Sequence, residues 1–302
     1  LDMGFHADIE TVVRQCPAQR QTLLFSATYP EGINKLSAAF MRQPKEVKLL
    51  QAHAAAKIRQ RFYEVGEEQR LHAVSLLLNH YRPSRTLAFC NTKQRCRELV
   101  EVLRAQGFAA LELHGDLEQR DRDQVMVQFA NGSISVLVAT DIAARGLDIT
   151  GLEAVINVDI TPDADTHTHR IGRTARADAT GWAFSLASMD EMGRVGLIEQ
   201  SLRFSSDWHK LAELTDSGNE PLRPPMRTLQ ILGGRKEKIR PGDVLGALTK
   251  DLGYAGAMIG KINVNEFSTY VAVQRDIAAE VLQRLSTAKV KGRSVKLRLL
   301  PG

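Results

Sequence analysis

The chain has 302 residues, 43% hydrophobic and 25% charged, a balance that supports ordinary core burial, and it is long enough for two or three domains. No run approaches the roughly 18–20 consecutive apolar residues of a membrane span, and three cysteines (Cys16, Cys90, Cys96) without C-x-x-C spacing argue against a disulfide framework or a cysteine metal site and for a reducing cytoplasm. The net charge of +5 is uneven: Met226 to Gly302 holds 14 Lys/Arg against 6 Asp/Glu, so a basic tail follows a near-neutral body and points to a polyanion, nucleic acid first, with a merely solubilising tail as the alternative.

In chain order, "LDMGF" (1–5) carries no evident chemistry, and the residues from Leu1 onward show no signal-peptide pattern. "TLLFSAT" (22–28) reads as a strand and "PEGINKLSAAFM" (30–41) as a helix. Residues 51–60, small and aperiodic, read as a linker. Strand-like runs then recur at "RFYEV" (61–65), "TLAFC" (86–90), "AALEL" (109–113), "SVLVAT" (135–140), "AVINVDI" (154–160) and "GWAFSL" (181–186). Between them lie helical patterns. After Thr92, the apolar residues Cys96, Leu99, Val100 and Leu103 fall at i, i+3, i+4 and i+7, with Gly107 as the stop. Asp116 and Gln119 form a candidate capping box for a helix ending at "ANG" (130–132). Mostly apolar strands alternating with helices predict an α/β fold with a parallel sheet covered on both faces, and such sheets bind ligands at the carboxyl ends of their strands.

"SGNEPLRPP" (217–225) marks a second boundary. Beyond it come strand 228–234, helix 241–252, strands 259–264 and 269–273, helix 276–287 and strand 294–300, a βαββαβ order of the split ferredoxin-like kind that RNA-recognition motifs use.

Function concentrates in segments that follow strands: "SAT" (26–28), "FCNTK" (89–93), "HGDLEQRDR" (114–122), "ATDIAARGLDI" (139–149) and "HRIGRTAR" (169–176). Guanidinium forks suit phosphate oxygens, and arginines three apart on a helical turn share a face, so Arg170, Arg173 and Arg176 are expected to act together; a solvated basic helix is the plain alternative. Cys90, Cys96 and His167 read as packing residues.

This set and order of motifs, over residues 1 to about 212, resembles the DEAD-box RNA helicases of superfamily 2, and "ILGGRKEKIRPGDVLGALTKDLG" (231–253) with "IGKI" (259–262) resembles the C-terminal RNA-binding domain of the DbpA subfamily. The resemblance implies a partial first RecA-like domain (1–50), a linker (51–60), a complete second RecA-like domain (61–215), a linker (216–225) and an RRM-like domain (226–302). It implies that Arg173 and Arg176 are arginine fingers on the γ-phosphate and that His169 and Arg170 hold the motif against the other domain and the nucleotide. Gly146 and Asp148 then lie at the ribose, and Ser26 and Thr28 link hydrolysis to strand separation. Thr92, Gly115, Gln119, Arg122, Thr140 and Asp141 grip the RNA backbone, contacts that position without reading sequence.

The tail departs from an ordinary RNA-recognition motif. "EFSTYVAV" (266–273) puts Ser268 at the first stacking position and keeps only Tyr270, and Gln230 stands where the first strand would carry an aromatic. RNA contact is therefore expected from the basic loops, Arg235, Lys236, Lys238 and Arg240 on one side and Lys289, Lys291 and Arg293 on the other.

The expected function is an ATP- and Mg²⁺-dependent RNA helicase of the bacterial cytoplasm, a monomer acting on large-subunit (23S) ribosomal RNA during ribosome assembly. The alternative is a non-catalytic RNA-binding module, and a DNA motor is disfavoured by the "HRIGRTAR" spelling and the tail. Neither G-x-x-x-x-G-K-[ST] nor "DEAD" occurs in the 302 residues, so no metal site is expected in this chain and ATP hydrolysis by it alone is not expected. In DEAD-box proteins "LDMGF" follows shortly after the acidic motif, which implies that the chain starts inside the first RecA-like domain.

Overall fold

A computed structural model describes residues 6–25, 40–47, 57–144, 149, 151–175, 180–214 and 220–302. Leu1–Gln51 and Ala52–Gly302 form separate units. In the first, α1 (His6–Gln15) is held by an Arg14–Glu10 pair one turn apart. Gln21–Phe25 carry no strand, and the remainder of the strand and helix expected over 22–41 lies, Phe40 and Met41 apart, outside the described residues.

The second unit begins with β1 (Ile58–Glu64), three residues earlier than the alternation suggests, because Ile58–Gln60 continue the parallel ladder on Gly181–Ala183. The chain then runs α2 (Arg70–Tyr81), β2 (Thr86–Phe89), α3 (Lys93–Ala105), β3 (Ala110–Leu113), α4 (Gln119–Ala130), β4 (Val136–Ala139), α5 (Asp141–Ala144), β5 (Ala154–Asn157), α6 (Ala164–Ile171), β6 (Gly181–Ala187), α7 (Met192–Leu202) and β7 (Trp208–His209). The strands form one parallel sheet, ordered β3-β4-β2-β5-β6-β1-β7.

The two-residue strand period sorts its core. Ala88, Cys90, Val136, Val138 and Ile156 pack with Leu77, Cys96, Leu99 and Leu103 from α2 and α3. Leu87, Phe89, Leu137, Ala139 and Val155 pack on the opposite face with Val125 and Phe129 from α4. Cys90 and Cys96 are fully buried, as packing residues should be. Thr92 caps α3, its Oγ1 accepting the Arg95 amide at 3.1 Å. The capping box expected for α4 does not form. Glu118 occupies the cap without a side-chain bond, while Asp116 turns to Lys93 and Arg97, whose two cations offer a stronger partner than a backbone amide.

The RRM-like domain contains β8 (Met226–Leu232), α8 (Pro241–Gly246), β9 (Ile259–Val264), β10 (Thr269–Gln274), α9 (Ala278–Thr287), a small hairpin of β11 (Lys289–Val290) and β12 (Arg293–Ser294), and β13 (Lys296–Leu299). Its antiparallel sheet is ordered β13-β8-β10-β9. The helix expected over 241–252 is shorter, since Ala247–Asp251 continue as a wider π-type turn. Leu229, Ile231, Val271 and Val273 face α8 and α9 in one core. The opposite sheet face is closed by the turn after α4: Ser133 Oγ and Asn131 Nδ2 meet Thr228 Oγ1 at 2.6 and 3.3 Å, and Arg298 Nη2 donates to Gln124 Oε1 at 3.3 Å. Among the described residues no helix is long and apolar enough to cross a membrane.

Candidate functional site

The loops after β2, β3, β4 and β5 open on one edge of the large sheet, where the strand order places β2 between β4 and β5 and leaves a crevice. Arg170, on the last turn of α6, lies beneath that crevice and is only 1% exposed. Its Nε and Nη2 donate to the two carboxylate oxygens of Asp141 at 2.7 Å each, Nη2 to Asn91 Oδ1 at 2.8 Å, and Nη1 to the Asp159 carbonyl at 2.8 Å. The guanidinium also lies 5.1 Å from the Phe89 ring centroid. One side chain thus joins the ends of β2, β4 and β5, and the bidentate fork neutralises the carboxylate that opens α5. Behind it His167 packs in a cluster with Phe62 and Phe204, their ring centroids 6.1 and 6.3 Å away, and shares a hydrogen bond with Gln60 at 3.1 Å. Burial, with the Arg170 charge nearby, lowers its pKa to about 4, so this imidazole is neutral at ordinary pH.

A second ion network extends this brace. Buried Arg70, at the start of α2, donates to the Val158 and Leu186 carbonyls at 2.8 and 3.2 Å, to Glu67 at 2.8 Å and to Glu191 at 2.7 Å. Asp159 accepts the Asn91 amide at 2.8 Å and lies 3.7 Å from Arg95, which also binds Glu67. Burial pushes the Glu67 and Glu191 carboxyls up, but the bonds from Arg95, Arg70 and the Ser188 amide outweigh it and both end below the usual carboxylate range.

The other cationic feature lies on the RRM-like domain. The loop from β8 to α8 carries Arg235, Lys236, Lys238 and Arg240, all exposed. Lys291 and Gly292 turn the β11–β12 hairpin with φ of 53° and 75°, the pair of positive values a type I′ turn needs. Lys291 Nζ donates to the Lys238 carbonyl and lies 3.7 Å from Asp243. A concavity of about 520 Å³ is lined by Arg235, Lys238, Ile239, Arg240, Pro241 and Val264.

A family model for the helicase conserved C-terminal domain matches residues 69–178, and one for the DbpA RNA binding domain matches residues 228–299. Over 300 residues, 99% of this chain, the sequence is 47% identical to the ATP-dependent RNA helicase DbpA of Escherichia coli (strain K12). The chain belongs to the DbpA subfamily of the DEAD-box helicases. It is also 31% identical over 318 residues to the ATP-dependent RNA helicase DbpA of Bacillus subtilis (strain 168), a match that takes in 98% of this chain. It spans 65% and 66% of the length of those two relatives. A crystal structure of a DEAD box protein from Methanococcus jannaschii superposes with a TM-score of 0.50 at 36% identity, covering 69% of this chain and 56% of that one.

In this DbpA-type chain the carboxyl edge gathers Thr92, Gly115, Thr140, Asp141 and the start of α4. Thr92 and Gly115 are exposed, and a Cβ on Gly115 would meet nothing within 4 Å, which leaves its backbone open to close approach. Gln119 reaches Asp123 at 2.7 Å, and Arg122 donates to the Ala143 carbonyl at 2.6 Å, tying α4 to α5. Asp141 has both carboxylate oxygens held by Arg170.

The expectation that three arginines share a helical face is corrected. The helix ends at Ile171, Arg170 points inward, and Arg173 lies half-buried in the following turn. Arg170 is an internal brace, its donors taken up by acceptors at the ends of three strands. His169 is exposed. The two basic loops, expected on opposite sides, meet through Lys291 and the Lys238 carbonyl, because the β11–β12 turn folds back on the β8–α8 loop. Arg176, Gly146, Asp148, Ser26 and Thr28 lie outside the described residues.

Toward ATP, the described edge supplies His169 and Arg173, groups whose chemistry fits phosphate oxygens. Toward Mg²⁺, no cluster of three or more His, Cys, Asp or Glu is found among the described residues. Sequence reasoning did not identify Asn91 and Asp159 as partners of Arg170, although Asn91 stands in the family-pattern segment 89–93 and Asp159 near the end of the strand-like run 154–160. Nor did it weigh Phe267, an exposed aromatic one residue before the stacking position considered.

Proposed function

We propose that the protein represented by this chain is an ATP-dependent RNA helicase that remodels a structured segment of 23S ribosomal RNA in a large-subunit precursor, acting as a monomer in the bacterial cytoplasm. These 302 residues supply the arginine-bearing edge and the RNA-targeting domain, and by themselves bind RNA without turning over ATP. The observation that carries this reading is the contact between two basic loops of the RRM-like domain, one of which lines a concavity, in a chain whose other domain presents the motif-bearing edge.

ATP supplies the phosphoryl transfer that drives strand separation. Arg173 and Arg176 offset charge on the γ-phosphate, and Gly146 and Asp148 hold the ribose. Arg170 acts at one remove by keeping Asp141 and Asn91, and so the loops after β4 and β2, in fixed relation. Its neutralisation of Asp141 removes a charge that would repel the RNA backbone. Thr92, Gly115, Gln119, Arg122, Thr140 and Asp141 then position the strand without reading its sequence, while the tail loops deliver the enzyme to its site.

Two measurements on the 302-residue chain test this reading. Steady-state ATPase assays with and without RNA are expected to show no stimulated turnover, and turnover above background overturns the division of labour. Binding to a fluorescein-labelled 23S fragment should weaken on alanine substitution of Arg235, Lys238 and Arg240, with a log–log salt slope about 2–3 shallower. An unchanged affinity and slope would remove the tail loops from the interface and favour a role for some other surface.

A further inference from the structure

Phe267 is 59% exposed, on the loop joining β9 to β10, in a domain whose other large side chains are mostly packed in its core. The loop is not loosely attached. The Arg235 amide donates to the Asn265 carbonyl at 2.9 Å, the Lys236 amide to the Glu266 carbonyl at 3.1 Å, and the Asn265 amide to the Ser268 carbonyl at 2.8 Å. At Gly234 a Cβ would come within 2.3 Å of the Asn265 carbonyl, so the two loops lie backbone against backbone. Lys236 Nζ sits over one face of the Phe267 ring, 4.3 Å from its centroid, and 3.2 Å from Glu266. Val264, which leads into this loop, lines the basic concavity with Arg235, Lys238 and Arg240. A fixed, exposed aromatic thus stands beside a cationic cleft.

The sheet face that would ordinarily receive stacked bases has no comparable surface. Tyr270 is 2% exposed and its hydroxyl meets Gln230 Nε2 at 3.2 Å; Gln230 itself is buried and also binds Arg298 at 2.7 Å. We propose that Phe267 is a base-stacking platform: one unpaired nucleotide of a structured RNA lies on its ring while the flanking phosphates are held by Arg235, Lys236, Lys238 and Arg240. The proposal rests on the reading that these basic loops bind RNA. It adds a preference for RNA with an unpaired base, which phosphate contacts alone do not provide.

The test uses the 302-residue chain and two labelled probes of equal length, a hairpin with 2-aminopurine in its loop and a fully paired blunt duplex. The parent is expected to bind the hairpin about 10-fold more tightly and to change the 2-aminopurine emission on binding. Phe267→Ala should lose that preference and the emission change while duplex affinity stays within twofold, and Phe267→Tyr should retain both. Arg235→Ala with Lys238→Ala should weaken both probes. If Phe267→Ala leaves hairpin binding and emission intact while the double variant weakens both, stacking is overturned and the RNA reading stands. Equal weakening of both probes by Phe267→Ala would overturn it too, assigning the ring to positioning Lys236. If the double variant also changes nothing, the underlying RNA reading falls with it.

Discussion

Replacing Arg170 by methionine keeps most of its apolar volume but removes every charged bond it makes. The side chain is 1% exposed and serves Asp141, Asn91 and the Asp159 carbonyl. Breaking a buried ion pair from one side costs about 3–5 kcal/mol, because the remaining charge stays behind without its partner. Here Asp141 keeps 26% side-chain exposure and can recover part of its hydration, and the Asn91 side chain retains its bond to the Ile160 carbonyl at 3.1 Å. The lower end, about 3 kcal/mol, is therefore expected. With an urea m-value of about 2 kcal/mol/M for a domain of this size, the midpoint falls by about 1.5 M. Tryptophan emission is a suitable readout, because both tryptophans, Trp182 and Trp208, belong to the large sheet. Pairing the change with Asp141→Asn closes a double-mutant cycle, and the double variant should lose at least about 1 kcal/mol less than the sum of the singles. A midpoint for Arg170→Met within 0.3 M of the parent, on the scale of the ~2 kcal/mol/M slope, would refute the view that this arginine braces the strand ends.

Acid should test His167 in a defined window. Its folded pKa of about 4 lies below the ordinary 6.5, so the unfolded chain takes up the proton first and stability drops as pH falls from about 6.5 toward 4, by up to about 3 kcal/mol. The urea midpoint of His167→Gln should fall less steeply over that window than the parent's. Comparing the two cancels the opposing contribution of His209, whose pKa the bonds to Asp207 and Glu213 raise; parallel slopes would discount the buried imidazole. Gly234→Ala should force the two RRM-like loops apart, since its Cβ meets backbone at 2.3 and 2.7 Å, and reduce stability by about 1–3 kcal/mol together with RNA affinity. Gly115→Ala meets open space and should leave the melting temperature unchanged, so any loss of RNA binding there reports a ligand that approaches the backbone.

Much of the architecture was legible because local physics and global packing agree. The strand runs at 86–90 and 135–140 are apolar at consecutive positions, which only a sheet buried on both faces tolerates, and both faces are filled. Thr92 and Gly107 bracket their helix through an N-cap bond and a left-handed glycine, interactions confined to a few neighbouring residues. Where an alternative partner lies far away in sequence, local reading fails. Asp116 could cap α4, yet Lys93 and Arg97 on a different helix take it.

The sequence by itself therefore determined the alternation of strands and helices from β1 to β6, the βαββαβ tail, the family pattern and the basic character of the two tail loops. All of these depend on periodicity, turn chemistry and composition within short windows. The tertiary structure alone decided that Arg170 turns inward, that the RRM-like sheet closes against the turn after α4, and that Phe267 stands beside the basic cleft. The difference is physical: an arginine in a helical pattern reads the same whether it faces solvent or the acceptors of three strand ends. Only the folded chain, which brings Asn91, Asp141 and Asp159 around one guanidinium, makes the buried position the stable one.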